Sequence, residues 1–221
     1  MNNKYSNFLT VLLVVIIIAI VAIIGFLGYK YYETYIIKSN SEDFVGTFGD
    51  DASNTNDDKT TDNTEIEYEG VEEGENTGTS SNGKKKQYNG FDVAGTIEIP
   101  ATNLKCPVLE QYEYSPKALE TSVVILYGPG LNQVGNTTIA GHNYRNGLFF
   151  SNNKKLNVGD KIYITDSTGK RLSYTIYDKH EAAENEADYI TRDTQGAIEI
   201  SLTTCTDDSK ARLIILAKAD V

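Results

Sequence analysis

AIEISLTTCTDDSKARLIILAK, residues 197–218, reads as two strands joined by a short polar turn. Ile198, Ile200 and Leu202 alternate along one face of the first strand, and Ser201, Thr203 and Cys205 fall on the other. Residues 206–211 (TDDSKA) form the turn, and the apolar run 211–218 leads away from it. If the two runs pair antiparallel, Cys205 and Arg212 flank the turn as cross-strand neighbours, with Cβ atoms about 5 Å apart. A thiol beside a guanidinium at the open end of a hairpin is poorly placed for core packing and well placed for chemistry.

Outward from this hairpin, short β-rich segments recur at short intervals. Residues 93–99 and 104–109 flank a Pro-Ala-Thr-Asn turn. Residues 123–127 end at Gly128-Pro129-Gly130, and 136–140 follow a glycine turn. Residues 160–165 and 171–177 flank Asp166-Ser167-Thr168-Gly169. With 197–204 and 211–218 this makes eight strands, the pattern of an antiparallel barrel or sandwich. Helix is expected only in short pieces. Ser115-Pro116 supplies an N-cap and a first-position proline, and 147–156 reads as a second short segment.

Upstream of residue 88 the chain changes character. Residues 8–28 carry no charge and no proline. As a helix they would span about 31 Å, enough to cross a bilayer core with every backbone group satisfied. A cleaved signal peptide would have a shorter apolar region and a small-residue cleavage site, so an uncleaved anchor is expected. Lys4 on one side and Lys30 and Lys38 on the other leave its orientation nearly balanced. Residues 40–79 hold thirteen Asp or Glu and one Lys, whereas the whole chain has a net charge of −11. Residues 80–221 are therefore close to neutral, and the acidity says little about a substrate. The basic run Lys84-Lys85-Lys86 has no interleaved aromatics, so no nucleic-acid footprint is expected. The organisation read from sequence is a short cytoplasmic tail at 1–7, a transmembrane anchor at 8–28, an acidic disordered linker at 29–87 and one domain at 88–221. Two cysteines without a CxxC exclude a disulfide-dense framework and a cysteine-based zinc site.

A thiol with a pKa near 8.5 is only a few per cent ionised at neutral pH, and a nearby cation favours its anion. Cys205, at a strand end, is the candidate nucleophile. Cys106 alternates with Leu104 and Val108 and reads as a small core residue. Of the two histidines, His142 lies where an apolar strand meets a loop, a position that suits a base or equally a residue bonded to local backbone. His180, in Asp178-Lys179-His180-Glu181, reads as a solvated surface side chain. Arg212 has two open readings: a surface cation paired with Asp207 or Asp208, or a donor to a substrate carbonyl and its oxyanion.

Leu202-Thr203-Thr204-Cys205, Arg212 at the start of the next strand, and Ala140-Gly141-His142-Asn143 upstream resemble the signatures of sortases, membrane-anchored cysteine transpeptidases of Gram-positive bacteria. The resemblance runs from about Gly95 to Ala217. It implies an all-β fold, an eight-stranded sortase-like β-barrel with short helices, preceded by the transmembrane helix and the disordered acidic linker. It implies that Cys205 attacks the Thr–Gly bond of a Leu-Pro-x-Thr-Gly-like sorting signal on a secreted protein. His142 would then serve as acid and base, and Arg212 would steady the oxyanion. Thr204, with Thr203 and Asn143, would line the substrate site, and an amine of a peptidoglycan precursor or a pilin would be the acceptor. The catalytic domain would lie outside the cell on a single-pass anchor. The gap of 63 residues from His142 to Cys205 leaves little room for the insert of class B, and the second apolar segment and lid motif of class C are not seen. Classes A, D and E fit best. No cofactor is expected. Some class A members order the corresponding loop with Ca²⁺, and Glu181, Glu184, Glu186 and Asp188 have the right hard oxygens, but their spacing is not diagnostic and a solvated, mobile loop is the favoured reading.

Two other readings remain open at this stage. A surface-displayed β-barrel binding module would need no nucleophile and could join Cys106 to Cys205 in a disulfide. A purely hydrolytic cysteine peptidase would use the same residues without an amine acceptor.

Overall fold

The computed structural model describes residues 3–48 and 85–221. Nine strands form in the second segment: β1 (Gln87–Tyr88), β2 (Phe91–Ile99), β3 (Leu104–Leu109), β4 (Val123–Tyr127), β5 (Gly135–Ala140), β6 (Lys161–Asp166), β7 (Arg171–Ala183), β8 (Ile198–Cys205) and β9 (Ala211–Ala219). They run in the order β1-β2-β3-β4-β5-β8-β9-β7-β6, and β6 also pairs with β2. That extra pairing closes β2–β9 into an eight-stranded barrel and leaves β1 as a two-residue ribbon on β2. Closure removes the exposed strand edges that would template aggregation.

The barrel is not wholly antiparallel as its short, turn-linked strands had suggested. β3 pairs parallel to β4 over Val108↔Val123 and Leu109↔Val124, and β5 pairs parallel to β8 from Gly135↔Ile198 to Ala140↔Thr203. The parallel crossover between β3 and β4 is bridged by α2 (Pro116–Thr121), whose Ala118 amide is capped by Ser115 Oγ at 3.2 Å. The segment expected to be helical at 147–156 is a 3₁₀ turn over Phe150–Lys155. Inward-facing residues of alternate strands, including Ile97, Ile139, Ile164, Ile176, Leu202 and Ile215, fill one continuous core.

One departure from the sequence expectation concerns the anchor. A single helix, α1 (Asn3–Phe48), runs on past Gly28 for twenty residues that were expected to belong to the disordered linker. Its apolar part has 18-residue mean hydropathy of 3.4. The extension is held by Lys30–Glu33 and Lys38–Glu42 pairs. It is held also by a stripe at 37, 41, 44 and 48, which is the spacing of one helix face. Ile37 packs on the main core. Phe44 and Phe48 join Tyr88, Val93 and Leu109 in a second cluster. Ser41 Oγ meets Tyr88 Oη at 3.1 Å, and Lys86 Nζ donates to the Phe48 carbonyl at 2.8 Å. Averaging the acidic composition over the whole stretch hid this stripe. Residues 49–84 of the expected linker lie outside the described residues.

Candidate active site at the open end of β5 and β8

β8 and β9 form the hairpin read from sequence, with Cys205 directly paired to Arg212. Thr206 N donates to Ala211 O at 3.0 Å and tightens the turn. The parallel β5–β8 ladder ends at Ala140↔Thr203, and Gly141 N still donates to Thr203 O at 3.1 Å. Two residues further along both chains stand His142 and Cys205. Continuing the parallel register past its last pair would set the two residues at one level, a strand spacing of about 4.8 Å apart at the backbone. Both are half-buried. Among the described residues, the His142 ring makes no hydrogen bond and stacks tilted on Tyr144 at 4.8 Å.

The residues around His142 are tightly built. A Cβ added to Gly141 would lie 2.7 Å from Phe150 and 2.8 Å from Val123, so only glycine lets the chain turn here. Phe150 N donates to His142 O at 3.2 Å. Phe149, buried beneath, holds φ 49° and ψ −124°, a strained conformation for a residue with a side chain. Asn143 crosses between the two halves of the site. Its Nδ2 donates to Cys205 O and to Asp207 Oδ1, both at 3.0 Å. Lys154 Nζ meets Asp207 Oδ2 at 2.6 Å. Lys154 and Asn143 together hold the Asp207 carboxyl below the usual carboxylate range.

Arg212 does not pair with Asp207 or Asp208. Its Nη2 donates to Glu184 Oε1 at 2.9 Å, and Asp208 instead accepts from Thr206 Oγ1 and Lys210 N within its own turn. Thr203 shares the face of Cys205, but Tyr189 covers it, with Oη 3.3 Å from Thr203 Oγ1. Thr204 alternates onto the opposite face, is 4% exposed, and its hydroxyl has no partner. In this conformation Asn143 and Thr204 are thus engaged or enclosed rather than open to a ligand. Glu184 and Tyr189 escaped the sequence reading because they sit in the irregular segment between β7 and β8, where no period marks which side chain turns inward.

The other candidates separate by position. Cys106 is buried against Ser122, and desolvation pushes its thiol up to about 12. Both cysteines are free. His180 lies within β7, with Nδ1 2.5 Å from Asp178 Oδ2, and β9 separates it from β8. Of the acidic residues weighed for calcium, Glu181 is a strand residue paired with Leu213, Glu184 is engaged with Arg212, and Glu186 accepts from Ala183 N at 3.3 Å. Asp188 is exposed. Among the described residues, no three His, Cys, Asp or Glu gather as a cation would need.

At the opposite end of the β5–β8 pair the polar groups are tied together. Asn136 bonds Tyr189 O and Ile190 O at 2.9 Å each and accepts from Ser201 Oγ at 2.9 Å and Arg192 Nη2 at 3.1 Å. Glu199, 7% exposed, is held by Arg192 at 2.5 Å and Tyr177 at 2.8 Å.

The sequence matches the Sortase domain family over residues 97–220. A curated relative, sortase A of Bacillus anthracis, is 29% identical over 126 residues, which is 56% of this chain and 58% of that protein. The chain therefore spans little more than half the length of that relative. Among solved structures, a Clostridium perfringens sortase D5 transpeptidase is similar with TM-score 0.54 at 25% identity, over 62% of this chain and 83% of that one. Streptococcus agalactiae sortase C1, in complex with MTSET, is similar with TM-score 0.52 at 23% identity, over 57% and 69%. The likeness to sortase C1 speaks for the fold alone, and those to sortase A and sortase D5 are consistent with an A- or D-like chain.

Proposed function

Because this chain belongs to the sortase family, we propose that it is a membrane-anchored cysteine transpeptidase whose catalytic domain works outside the cell. The substrate is a secreted protein with a Leu-Pro-x-Thr-Gly-like sorting signal, cut between Thr and Gly. The observation that supports the reading is the pairing of Arg212 with Cys205 across β8–β9, beside a parallel β5–β8 register that, continued two residues past Ala140↔Thr203, would bring His142 level with Cys205.

The chemistry follows from those roles. The Cys205 thiolate attacks the Thr carbonyl carbon, and the negative charge moves to the carbonyl oxygen. Arg212 offers fixed N–H donors to that oxyanion once its guanidinium turns from Glu184, which is well exposed and easily left. When the C–N bond breaks, protonated His142 gives its proton to the leaving glycine amine, and a thioester to Cys205 remains. Neutral His142 then takes a proton from the incoming amine as that amine attacks the thioester. The thiolate departs, and an amide to a peptidoglycan precursor or a pilin is formed. Thioacyl transfer uses no cofactor, and none is part of this proposal.

Mass spectrometry of the protein with a Leu-Pro-x-Thr-Gly peptide tests the reading. Wild type is expected to accumulate a thioacyl adduct on Cys205 and to pass it to an added amine. Cys205→Ala is expected to lose at least about 10³-fold in cleavage. Undiminished cleavage by Cys205→Ala would sink the proposal. Cleavage that ignores the amine would leave a hydrolytic peptidase in its place.

A further inference from the structure

The helix α1 has three zones along its length, and their spacing sets where the barrel stands. The apolar run ends at Gly28. Four tyrosines follow at 29, 31, 32 and 35, all strongly exposed. Tyrosines at this position mark the water–lipid interface. Contact with the barrel begins at Ile37. At about 1.5 Å per residue, Tyr31 lies about 4–5 Å beyond the apolar run and Ile37 about 13 Å beyond it. The headgroup layer of one leaflet is about 5–7 Å thick. The barrel's contact with the helix therefore begins just above the headgroups.

One part of the barrel reaches lower. A cavity of about 380 Å³ opens between α1 and the loop after β5, with Tyr31 and Tyr35 on one side and Asn146 and Asn152 on the other. Helical side chains lean toward the helix N-terminus, here toward the membrane, so this wall of the cavity lies at headgroup depth. The loop fits such a setting. Residues 144–155 (YRNGLFFSNNKK) carry Arg145, Lys154 and Lys155 and no acid, and Arg145 and Lys155 remain available beside Lys154, which pairs with Asp207. Tyr144 is exposed at the start of that loop. An aromatic and cations presented together suit an anionic lipid surface.

We propose that the loop following His142 is a membrane-contacting surface that rests among phospholipid headgroups beside Tyr31 and Tyr35. The open end of the barrel is thereby held at the bilayer rather than carried away from it on a tether. This rests on α1 spanning the membrane, and not on the chemistry at Cys205.

The chain contains no tryptophan, so single-tryptophan variants report depth directly. The full chain is reconstituted in vesicles of three parts phosphatidylcholine to one part phosphatidylglycerol, doped with a headgroup-spin-labelled lipid. Tyr31→Trp serves as the helix reference. Tyr144→Trp probes the loop. Tyr127→Trp probes the opposite end of the barrel, where β4 finishes. The expected result is quenching of Tyr144→Trp comparable to Tyr31→Trp and at least about twofold greater than Tyr127→Trp. A Gly-Gly-Ser-Gly insertion after Ile36 should remove the quenching at position 144 and spare that at 31. Quenching of Tyr144→Trp no greater than of Tyr127→Trp, with Tyr31→Trp quenched, overturns the proposal. An unquenched Tyr31→Trp overturns it at its premise. The same measurements in a Cys205→Ala background should be unchanged, which separates this test from that of transpeptidation.

Discussion

The two ends of the β5–β8 pair are built from similar polar material and treated in opposite ways. At the end where the strands begin, Asn136 and Glu199 are locked by Ser201, Tyr177, Arg192 and the backbone of residues 189–190, and among the described residues' buried side-chain atoms there, Arg192 Nε alone lacks a partner. At the end where they finish, the His142 ring and the Thr204 hydroxyl are unbonded, and Cys205 is half-buried with a free thiol. Satisfied polar groups rigidify, whereas unsatisfied ones store interaction for something that arrives later. One parallel pair thus serves as foundation at one end and as candidate site at the other.

After loss of Cys205 itself, the largest blow to the open end should come from Arg212→Ala, which removes the donor paired with Cys205. We expect kcat/KM to fall about 10²–10³-fold with the melting temperature nearly unchanged, because the pair with exposed Glu184 contributes little to stability. A fall in stability without a fall in rate would break the contrast between the ends. Arg192→Ala is the matching change at the closed end. It strands the buried Glu199 carboxylate, and the expected cost is roughly 3 kcal/mol by chemical denaturation, with cleavage by the folded fraction retained.

Smaller effects sharpen the comparison. Thr204→Val removes a buried hydroxyl that has no partner, so stability should hold or rise by up to about 1 kcal/mol. If turnover falls at the same time, the hydroxyl is being kept for the reaction. The smallest change concerns the strap of Asn143, Asp207 and Lys154. The folded-state pKa of Asp207 is depressed, so its share of stability is present above the ordinary value near 3.8 and is lost as pH falls through the folded value. Asp207→Asn should therefore melt slightly lower than wild type at pH 7, and the two curves should converge below pH 3.8 as wild-type Asp207 takes up its proton. A gap that persists undiminished in acid would assign the effect to shape instead of charge.

What could be read in advance divides along the same lines. The hairpin of Cys205 and Arg212 is local, and a two-residue period plus a polar turn were enough to place it. The level placement of His142 with Cys205 depends on a parallel pairing between strands some sixty residues apart, which no local pattern encodes. The sequence offers only the expectation, by elimination and resemblance, that His142 partners Cys205. β7 continues six residues beyond its apolar pattern because Asp178–Ala183 pairs with the apolar face of β9. Its own composition, DKHEAA, gives no strand signal. Arg212's partner, Glu184, and the roof over Thr203, Tyr189, belong to an irregular segment and could be found only in three dimensions.

The contact of Lys86 with the Phe48 carbonyl brings the two ends of residues 49–84 to one point. A chain that leaves and returns at the same place transmits no distance. Its cost is one of closure, which grows by only about 0.6 kcal/mol for each doubling of length. Evolution can then lengthen, shorten or recharge that acidic stretch almost without penalty while the spacing of the barrel from α1 stays constant. Sequence drift between the anchor and the barrel carries no information about how far from the membrane the thiol works.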